Sequence, residues 1–115
     1  MYEIRLQKDP HKTLKQLARR ARARFDKISE VLTELMNDPL STSIALQDPL
    51  LNGFRRAKAG DDRIIFQICK ECRKDPDILK ERECFDCDDV PENGIMVFDI
   101  DARKRVYKKR MRRRR

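Results

Sequence analysis

Four cysteines carry the most specific chemical signal in this 115-residue sequence. Cys69 and Cys72 form one Cys-x2-Cys pair, and Cys84 and Cys87 form a second pair after an eleven-residue spacer. Two residues between thiolates let a tight turn place both sulfurs on one side of a metal, and two such turns complete the tetrahedral shell that Zn²⁺ favours. The pattern predicts a structural zinc ion, because four sulfur ligands leave no open position for a catalytic water.

Other uses of the cysteines stay open at this stage: two disulfide bonds, unlinked thiols, or iron in place of zinc. The N-terminal residues lack the apolar stretch of a secretory signal, so we expect a cytoplasmic protein whose thiols stay reduced and can bind metal. The spacer, residues 73–83, contains little apolar material. We therefore expect metal binding and local folding of the inserted segment, residues 69–87, to be coupled.

The positive charge of the chain is concentrated at its C-terminal end. The sequence holds 28 Lys and Arg against 20 Asp and Glu, a net charge of +8. Residues 103–115 hold ten of the cations and no acid, so the rest of the chain carries about −2. No apolar run approaches the roughly 18–20 residues of a membrane span, so we expect no membrane partner. Three glycines and one histidine argue against a glycine-rich nucleotide loop and a His-rich catalytic metal site.

The N-terminal third of the sequence predicts a strand followed by helix. Residues 2–6 alternate between polar and apolar side chains, which is typical of a half-buried strand. Asp9 and Pro10 suit a helix start, and apolar residues then recur every three or four positions between Leu14 and Leu35. The stripe fits one helix of about 27 residues or two helices joined by a tight turn. It favours a packed core face over a free-standing coiled coil, because three heptads is the lower limit for one.

The rest of the chain predicts strands around the cysteine segment. Residues 53–59 and 63–69 flank a turn at Gly60 and indicate a β-hairpin, and residues 95–100 form the most hydrophobic strand. We predict a single α+β domain over residues 1–115. Its small, antiparallel-type sheet carries the N-terminal helical hairpin, or one long helix, on one face, with the four-cysteine insert between the last two strands.

The sequence resembles a known family over most of the chain outside the insert, beginning with the opening strand and the helical segment from Leu14 to Leu35. Two later segments carry the strongest resemblance. Residues 53–66 contain the cations Arg56 and Lys58, a Gly-Asp turn and then Arg63 before an apolar strand. This order is similar to the pattern of the RelE/ParE superfamily, small cytosolic toxins of toxin–antitoxin systems. Residues 99–107 resemble the closing strand of the family, and we expect residues 103–107 to belong to the last strand.

The resemblance has departures as well as matches. Asp62 stands where the family usually has an aromatic residue, and Ala102 where many members have His. We expect the Asp62 carboxylate to pair with its neighbour Arg63 and to weaken the positive field there. The cysteine insert is not a usual feature of the family.

A cluster of cations is the candidate active site. Arg56 and Lys58 are two residues apart on one strand and therefore project to the same face. Arg63 approaches from the next strand, and Arg103 and Tyr107 arrive from the end of the chain. Such a cluster suits phosphate chemistry better than acyl transfer or glycoside hydrolysis.

The resemblance implies a specific reaction, which is metal-independent, ribosome-dependent cleavage of mRNA by attack of the RNA 2′-hydroxyl on the adjacent phosphodiester. In that case, Arg63 and Arg103 would clamp the phosphate with their planar guanidinium groups. Lys58 and Tyr107 would be the candidates for proton transfer. The implied partners are a cognate antitoxin, the ribosome and mRNA, with no small-molecule cofactor.

Two other functions compete with the endoribonuclease toxin. One is a non-catalytic, zinc-containing module that binds RNA or the ribosome, and the other is a ParE-like toxin that inhibits gyrase. The presence of the whole cation cluster favours cleavage over the gyrase function.

The acidic insert gives a further hypothesis, which is that it folds near the basic tail or near the cation cluster.

The basic tail, residues 108–115, is interpreted as a solvated electrostatic anchor for ribosomal or messenger RNA, in which only charge matters. Its predicted nucleic-acid-binding residues are Lys108, Lys109, Arg110, Arg112, Arg113, Arg114 and Arg115.

Overall fold

A computed structural model of the chain describes residues 1–81, 83–84 and 87–114, with the backbone alone at residue 114. Within these residues, five strands form one sheet in the order β1-β5-β4-β3-β2. The strands are β1 (Glu3–Leu6), β2 (Ile44–Ala45), β3 (Arg55–Ala59), β4 (Asp62–Ile68) and β5 (Gly94–Ala102). β1 pairs in parallel with β5, and the other neighbours are antiparallel. The predicted α+β class is confirmed, with a mixed sheet.

The N-terminal apolar stripe belongs to two helices, α1 (Lys8–Arg20) and α2 (Arg22–Asn37). The chain breaks between them at Ala21, whose φ of −146° and ψ of 66° leave the helical region. The backbone N–H of Tyr2 donates to the carbonyl of Met36 at 2.8 Å, which brings the end of α2 back to β1. The predicted helical hairpin is therefore confirmed.

Both helices pack their apolar sides on the same face of the sheet, α1 against β5 and α2 mainly against β3. This arrangement buries the stripe in a core and not in a free-standing coiled coil. The buried residues of this first core include Leu17, Ile28, Val31, Leu35, Ile64, Phe66, Val97 and Ile100.

The opposite face of the sheet carries a second core and a local irregularity in β5. The register passes from Ile65 paired with Asp99 to Phe66 paired with Val97, so Phe98 is the extra residue of a β-bulge. The side chains of Phe98 and Asp99 therefore both lie on this second face. The second core contains Leu51, Phe54, Ile65, Met96, Phe98 and Val106.

The C-terminal segment forms a helix, α5 (Arg103–Arg114), which corrects two expectations. Residues 103–107 are not part of the last strand, because β5 has no pairing partner beyond Ala102. Ala102 pairs with Asp62, which is the first residue of the antiparallel strand β4. Beyond that point the Arg- and Lys-rich sequence, with its good helix propensity, turns into α5. The tail is also not a solvated end, since α5 packs on the second face through Val106 and Arg110, both fully buried.

The cysteine segment lies between β4 and β5, as predicted. Its described elements are α3 (Cys69–Lys74), α4 (Pro76–Lys80) and a 3₁₀ turn at Cys87–Asp89. The Asp75 carboxylate accepts a hydrogen bond from the N–H of Asp77 at 3.0 Å, which caps the start of α4. Within the described residues, no helix combines the length and apolar character needed to cross a bilayer.

Candidate functional site

Three of the predicted site residues lie side by side on the second face of the sheet. The β3–β4 register places Lys58 directly opposite Arg63, and Arg56 lies two residues from Lys58 on the same face. Side chains in directly opposed positions have Cβ atoms about 4.5–5.5 Å apart, and like charges there oppose folding. The two cations therefore form a site of concentrated positive charge, with an intrinsic cost that a bound anion would relieve.

Arg63 is held in one orientation by the turn that precedes it. One of its terminal nitrogens, Nη1, donates to the carbonyls of Gly60 and Asp62 at 2.8 and 2.9 Å, and only 7% of the residue is exposed. Gly60 adopts a φ of +66°, which is a conformation that favours glycine and forms the tight turn. The Nε and Nη2 groups of Arg63 make no hydrogen bond within the described residues. Arg63 can therefore present them, already oriented, to an anion.

The expected pairing of Asp62 with Arg63 is wrong. Successive strand residues point to opposite faces, so the Asp62 carboxylate lies on the α2 side of the sheet. There, Arg24 binds it with both ends of its guanidinium group, at 3.0 Å from Nε and 2.6 Å from Nη2. This pairing raises the pKa of Arg24 above its ordinary value. The carboxylate at this unusual position consequently does not neutralise Arg63 directly.

Replacing Arg24 with alanine is expected to lower the free energy of unfolding by about 2–3 kcal/mol, because it leaves the buried Asp62 carboxylate without its partner. Urea unfolding followed by circular dichroism measures the change. The matched control is Lys27→Ala, which removes an exposed cation from the same helix. Equal stability of the two variants would contradict the structural role of Arg24, whereas adding Asp62→Asn to Arg24→Ala should restore part of the loss.

Arg56 and Lys58 also border a shallow groove beside β2. The groove has a volume of about 310 Å³, and its other walls come from residues 41–44. Lys58 is exposed and Arg56 half-buried, and neither forms an ion pair with the described residues. The hydroxyl-bearing residues Ser41 and Thr42, which the sequence reasoning did not single out, bring polar groups to the same groove.

Arg103 and Tyr107 lie one helical turn apart near the start of α5, and α5 contacts β4 on the face that carries Arg63. Arg103 is exposed, and its N–H donates to the carbonyl of Asp61 at 3.1 Å beside the β3–β4 turn. Tyr107 packs partly into the second core and lines a cleft of about 430 Å³. The five predicted residues thus come from β3, β4 and α5, and the three on β3 and β4 share one face of the sheet.

One carboxylate lies on the same face and was not part of the sequence prediction. Asp101 on β5 pairs with Arg63 in the register, on the side away from Lys58. Its Oδ1 accepts from the N–H of Ala102 at 2.7 Å and lies 3.4 Å from Nε of Arg105. Asp101 therefore has a cationic partner of its own at the start of α5.

The predicted nucleic-acid-binding residues of the tail have different surroundings in α5. Lys108 and Arg112 are exposed and line the cleft at Tyr107, and Lys109 is half-buried. Arg113 forms an ion pair with Asp9 at the start of α1 and thereby lowers the pKa of that carboxyl. The side chain of residue 114 and all of residue 115 lie outside the described residues.

Arg110 is a structural residue, in contrast to its predicted role in RNA binding. Its Nε lies 3.1 Å from Asp99 Oδ2, its Nη2 donates to Glu83 at 3.0 Å, and its side chain is fully buried. The guanidinium also lies over the rings of Phe54 and Phe98, at 5.3 and 5.4 Å from their centroids. Because Glu83 belongs to the insert, the acidic insert does fold against the basic tail.

Comparisons with known proteins place this architecture among described folds. No family model and no curated protein sequence matches the chain. Among solved structures, a chain of the RelBE2 toxin–antitoxin complex from Mycobacterium tuberculosis is similar with a TM-score of 0.59 and 17% identity, over 89% of this chain and 98% of that one. The chain has a RelE-like fold. A YoeB–YefM complex from Staphylococcus aureus gives a TM-score of 0.57 at 12% identity, over 88% of this chain and 95% of that one.

The RelE-like sheet carries the cysteine segment at one end. All four cysteines are described, none is joined in a disulfide bond, and together they line one small enclosed cavity. Burial raises the pKa of the Cys69 thiol, whereas Arg73 acts in the opposite direction. Within the described residues, no group of three or more His, Cys, Asp or Glu side chains is placed so that it could hold a metal ion. The predicted zinc site therefore stays a prediction.

The structural roles of Arg24 and Arg110 escaped the sequence reasoning. The role of Arg24 could have been found from the sequence, because a carboxylate at a buried strand position, such as that of Asp62, requires a cationic partner. The role of Arg110 could not, because an arginine within a run of cations is normally solvated. Its buried partner Asp99 comes from a different element and is brought to it by the β-bulge.

Proposed function

We propose that the protein is a toxin of a toxin–antitoxin system that cleaves mRNA in a ribosome-dependent manner. The observation that carries the proposal is the placement of Arg56, Lys58 and Arg63 together on one face of a RelE-like sheet, with Lys58 and Arg63 directly opposed. Such a juxtaposition of like charges is unfavourable in the isolated protein and becomes favourable when an RNA phosphate lies between them.

The chemistry needs orientation and charge stabilisation more than a dedicated nucleophile. The RNA 2′-oxygen forms a new bond to the adjacent phosphorus, and the bond from phosphorus to the 5′-oxygen of the next nucleotide breaks. One proton leaves the 2′-hydroxyl, and another is delivered to the departing 5′-oxygen. The products are a 2′,3′-cyclic phosphate and a 5′-hydroxyl end.

Each residue has a role that follows from its position. The oriented Nε and Nη2 groups of Arg63 bind the phosphate and stabilise the charge of its five-coordinate transition state. Lys58 is opposite and exposed, so it reaches the same phosphate and is the candidate for proton transfer. Arg103 and Tyr107 contribute from α5, Arg103 as a second phosphate clamp and Tyr107 as the alternative proton donor or acceptor.

The partners follow from the same proposal. The similar solved structures are toxin–antitoxin complexes, which supports a cognate antitoxin as the protein partner of this chain. The exposed α5 cations Lys108 and Arg112 are the strongest candidates of the tail for contact with ribosomal or messenger RNA. Lys109 is half-buried and Arg113 is paired with Asp9, so these two cations would contribute less to RNA binding.

The decisive experiment adds the purified protein to a translating extract and maps breaks in a reporter mRNA by primer extension. We expect breaks that require translation, with cyclic phosphate at the upstream ends. Intact messages at one protein per ribosome would refute the nuclease function. Co-sedimentation with ribosomes without cleavage would support the non-catalytic RNA-binding module, and inhibition of DNA supercoiling by gyrase would support the ParE-like function.

A further inference from the structure

The enclosed cavity in the insert is the strongest feature that the proposed nuclease function leaves unexplained. Its walls contain all four cysteines together with Gln67, Val90 and Met96. Cys69 and Cys72 are buried and lie on one side of α3, since residues three apart share a helix face. Cys84 and Cys87 line the same cavity from the far end of the insert, so the folded chain brings both Cys-x2-Cys pairs to one cavity.

A second observation at the cavity also indicates a ligand. The Gln67 side chain is only 2% exposed, and its Nε2 has no hydrogen-bond partner in the described structure. A buried amide nitrogen without an acceptor is unfavourable, because it has lost its hydrogen bonds to water. A cysteine thiolate in the cavity would accept a hydrogen bond from this group, in the way that outer residues support metal ligands.

The two halves of the candidate site are already tied together by Arg73. Its guanidinium donates to the carbonyls of Cys87 and Val90 at 2.5 and 2.6 Å, which attaches the second cysteine pair to α3. No metal-holding arrangement is present within the described residues, so binding would require the four sulfurs to move to about 2.3 Å from a common ion.

We propose that Cys69, Cys72, Cys84 and Cys87 bind one structural Zn²⁺ ion, with Gln67 donating a hydrogen bond to one of the thiolates. Binding releases the thiol protons and replaces them by metal–sulfur bonds, with no change of oxidation state. The ion contributes to folding of the insert and has no part in RNA cleavage. Loss of the proposed nuclease function would therefore leave this site intact.

The proposed metal site is also linked to α5, through the residue that precedes one of its ligands. Glu83 precedes Cys84 in the chain and accepts a hydrogen bond from Arg110 at 3.0 Å. Fixing Cys84 fixes Glu83, and the zinc ion thereby supports the docking of α5 on the second face of the sheet. The insert would thus hold in place the helix that carries Arg103 and Tyr107.

Metal analysis of the native, full-length protein tests the site directly. We expect one zinc per chain after gel filtration and an X-ray absorption spectrum with four sulfur neighbours. Replacement by Co²⁺ should give thiolate charge-transfer absorption and the visible bands of a tetrahedral ion. A protein without zinc, or an intact mass four hydrogens low from two disulfide bonds, would overturn the proposal.

Variants separate the ligands from the cavity walls. Cys72→Ser and Cys87→Ser should lose zinc, whereas Met96→Leu should keep it, because Met96 lines the same cavity without supplying a thiolate. Gln67→Leu should weaken zinc affinity by about 10–100-fold in a chelator competition. Unchanged affinity in Gln67→Leu would remove the proposed hydrogen bond, and, should the Cys variants not fold, the absorption spectrum of the native protein still decides the ligand set.

Limited trypsin digestion tests the link to α5. Zinc removal by a chelator should increase cleavage near Arg110 several-fold, and Glu83→Gln should do so with zinc still bound. The matched control Glu92→Gln changes an exposed acid just beyond the insert and should have no effect. Equal cleavage of α5 with and without zinc would overturn the proposed support of α5.

Discussion

Replacing Arg110 with methionine is expected to lower the free energy of unfolding by about 3–5 kcal/mol. The Arg110 and Asp99 side chains are both completely buried, and the guanidinium also lies over the rings of Phe54 and Phe98. Methionine fills a similar space but leaves the Asp99 carboxylate buried without its counter-charge. Urea unfolding followed by circular dichroism measures the loss.

The matched control for this variant is Arg112→Met, an exposed position on the same helix. We expect it to change stability by less than about 0.5 kcal/mol. Combining Arg110→Met with Asp99→Asn should recover part of the loss, because the uncompensated charge is then gone. If Arg110→Met were as stable as Arg112→Met, the buried position of Arg110 would be refuted.

The loss in Arg110→Met is also expected to depend on pH. Burial already raises the pKa of Asp99, and Arg110 is the largest of the opposing charges, so its removal raises this pKa further. An aspartate whose native pKa lies above its ordinary value of about 3.9 binds more protons in the native state than in the unfolded state. Stability therefore falls as pH rises above that ordinary value. The deficit of Arg110→Met should be smaller at about pH 4 than at about pH 7, and should lose this dependence when Asp99→Asn is added.

Replacing Arg63 with alanine is expected to reduce mRNA cleavage by about 10²–10³-fold, as for other preorganised groups that stabilise a transition-state charge. The expectation rests on the proposed nuclease function and on the fixed orientation of the guanidinium by the Gly60 and Asp62 carbonyls. Arg63→Lys should rescue little, because lysine keeps the charge but loses the planar fork. Single-turnover cleavage on programmed ribosomes measures the effect.

Two controls separate catalysis from folding and from bulk charge. Arg19→Ala removes the same charge from an exposed site on α1, on the other side of the sheet, and should cleave normally. Arg103→Ala changes an exposed predicted site residue and should lose cleavage while its unfolding curve stays unchanged. Activity at the wild-type level in both Arg63→Ala and Arg103→Ala would refute the proposed site.

Periodic and local patterns predicted much of this fold correctly. The apolar stripe predicted the helical hairpin, because the buried face of a helix carries apolar residues at intervals of three and four positions. The Gly60 turn predicted the β3–β4 hairpin and, with it, the shared face of Arg56, Lys58 and Arg63, since strand side chains alternate with a fixed period. The break at Ala21 and the parallel pairing of β1 with β5 depend on contacts distant in sequence and carried no such pattern.

The sequence by itself determined the fold class, the cation cluster on one strand pair and the position of the four-cysteine insert. The tertiary structure alone decided what the basic C-terminal segment is. Read locally, ten cations without an acid indicate a solvated tail, because a charge is costly to bury without a partner. The partners of Arg110 are Asp99 on β5 and Glu83 in the insert, so only the folded chain brings together the charges that turn this segment into a packed helix.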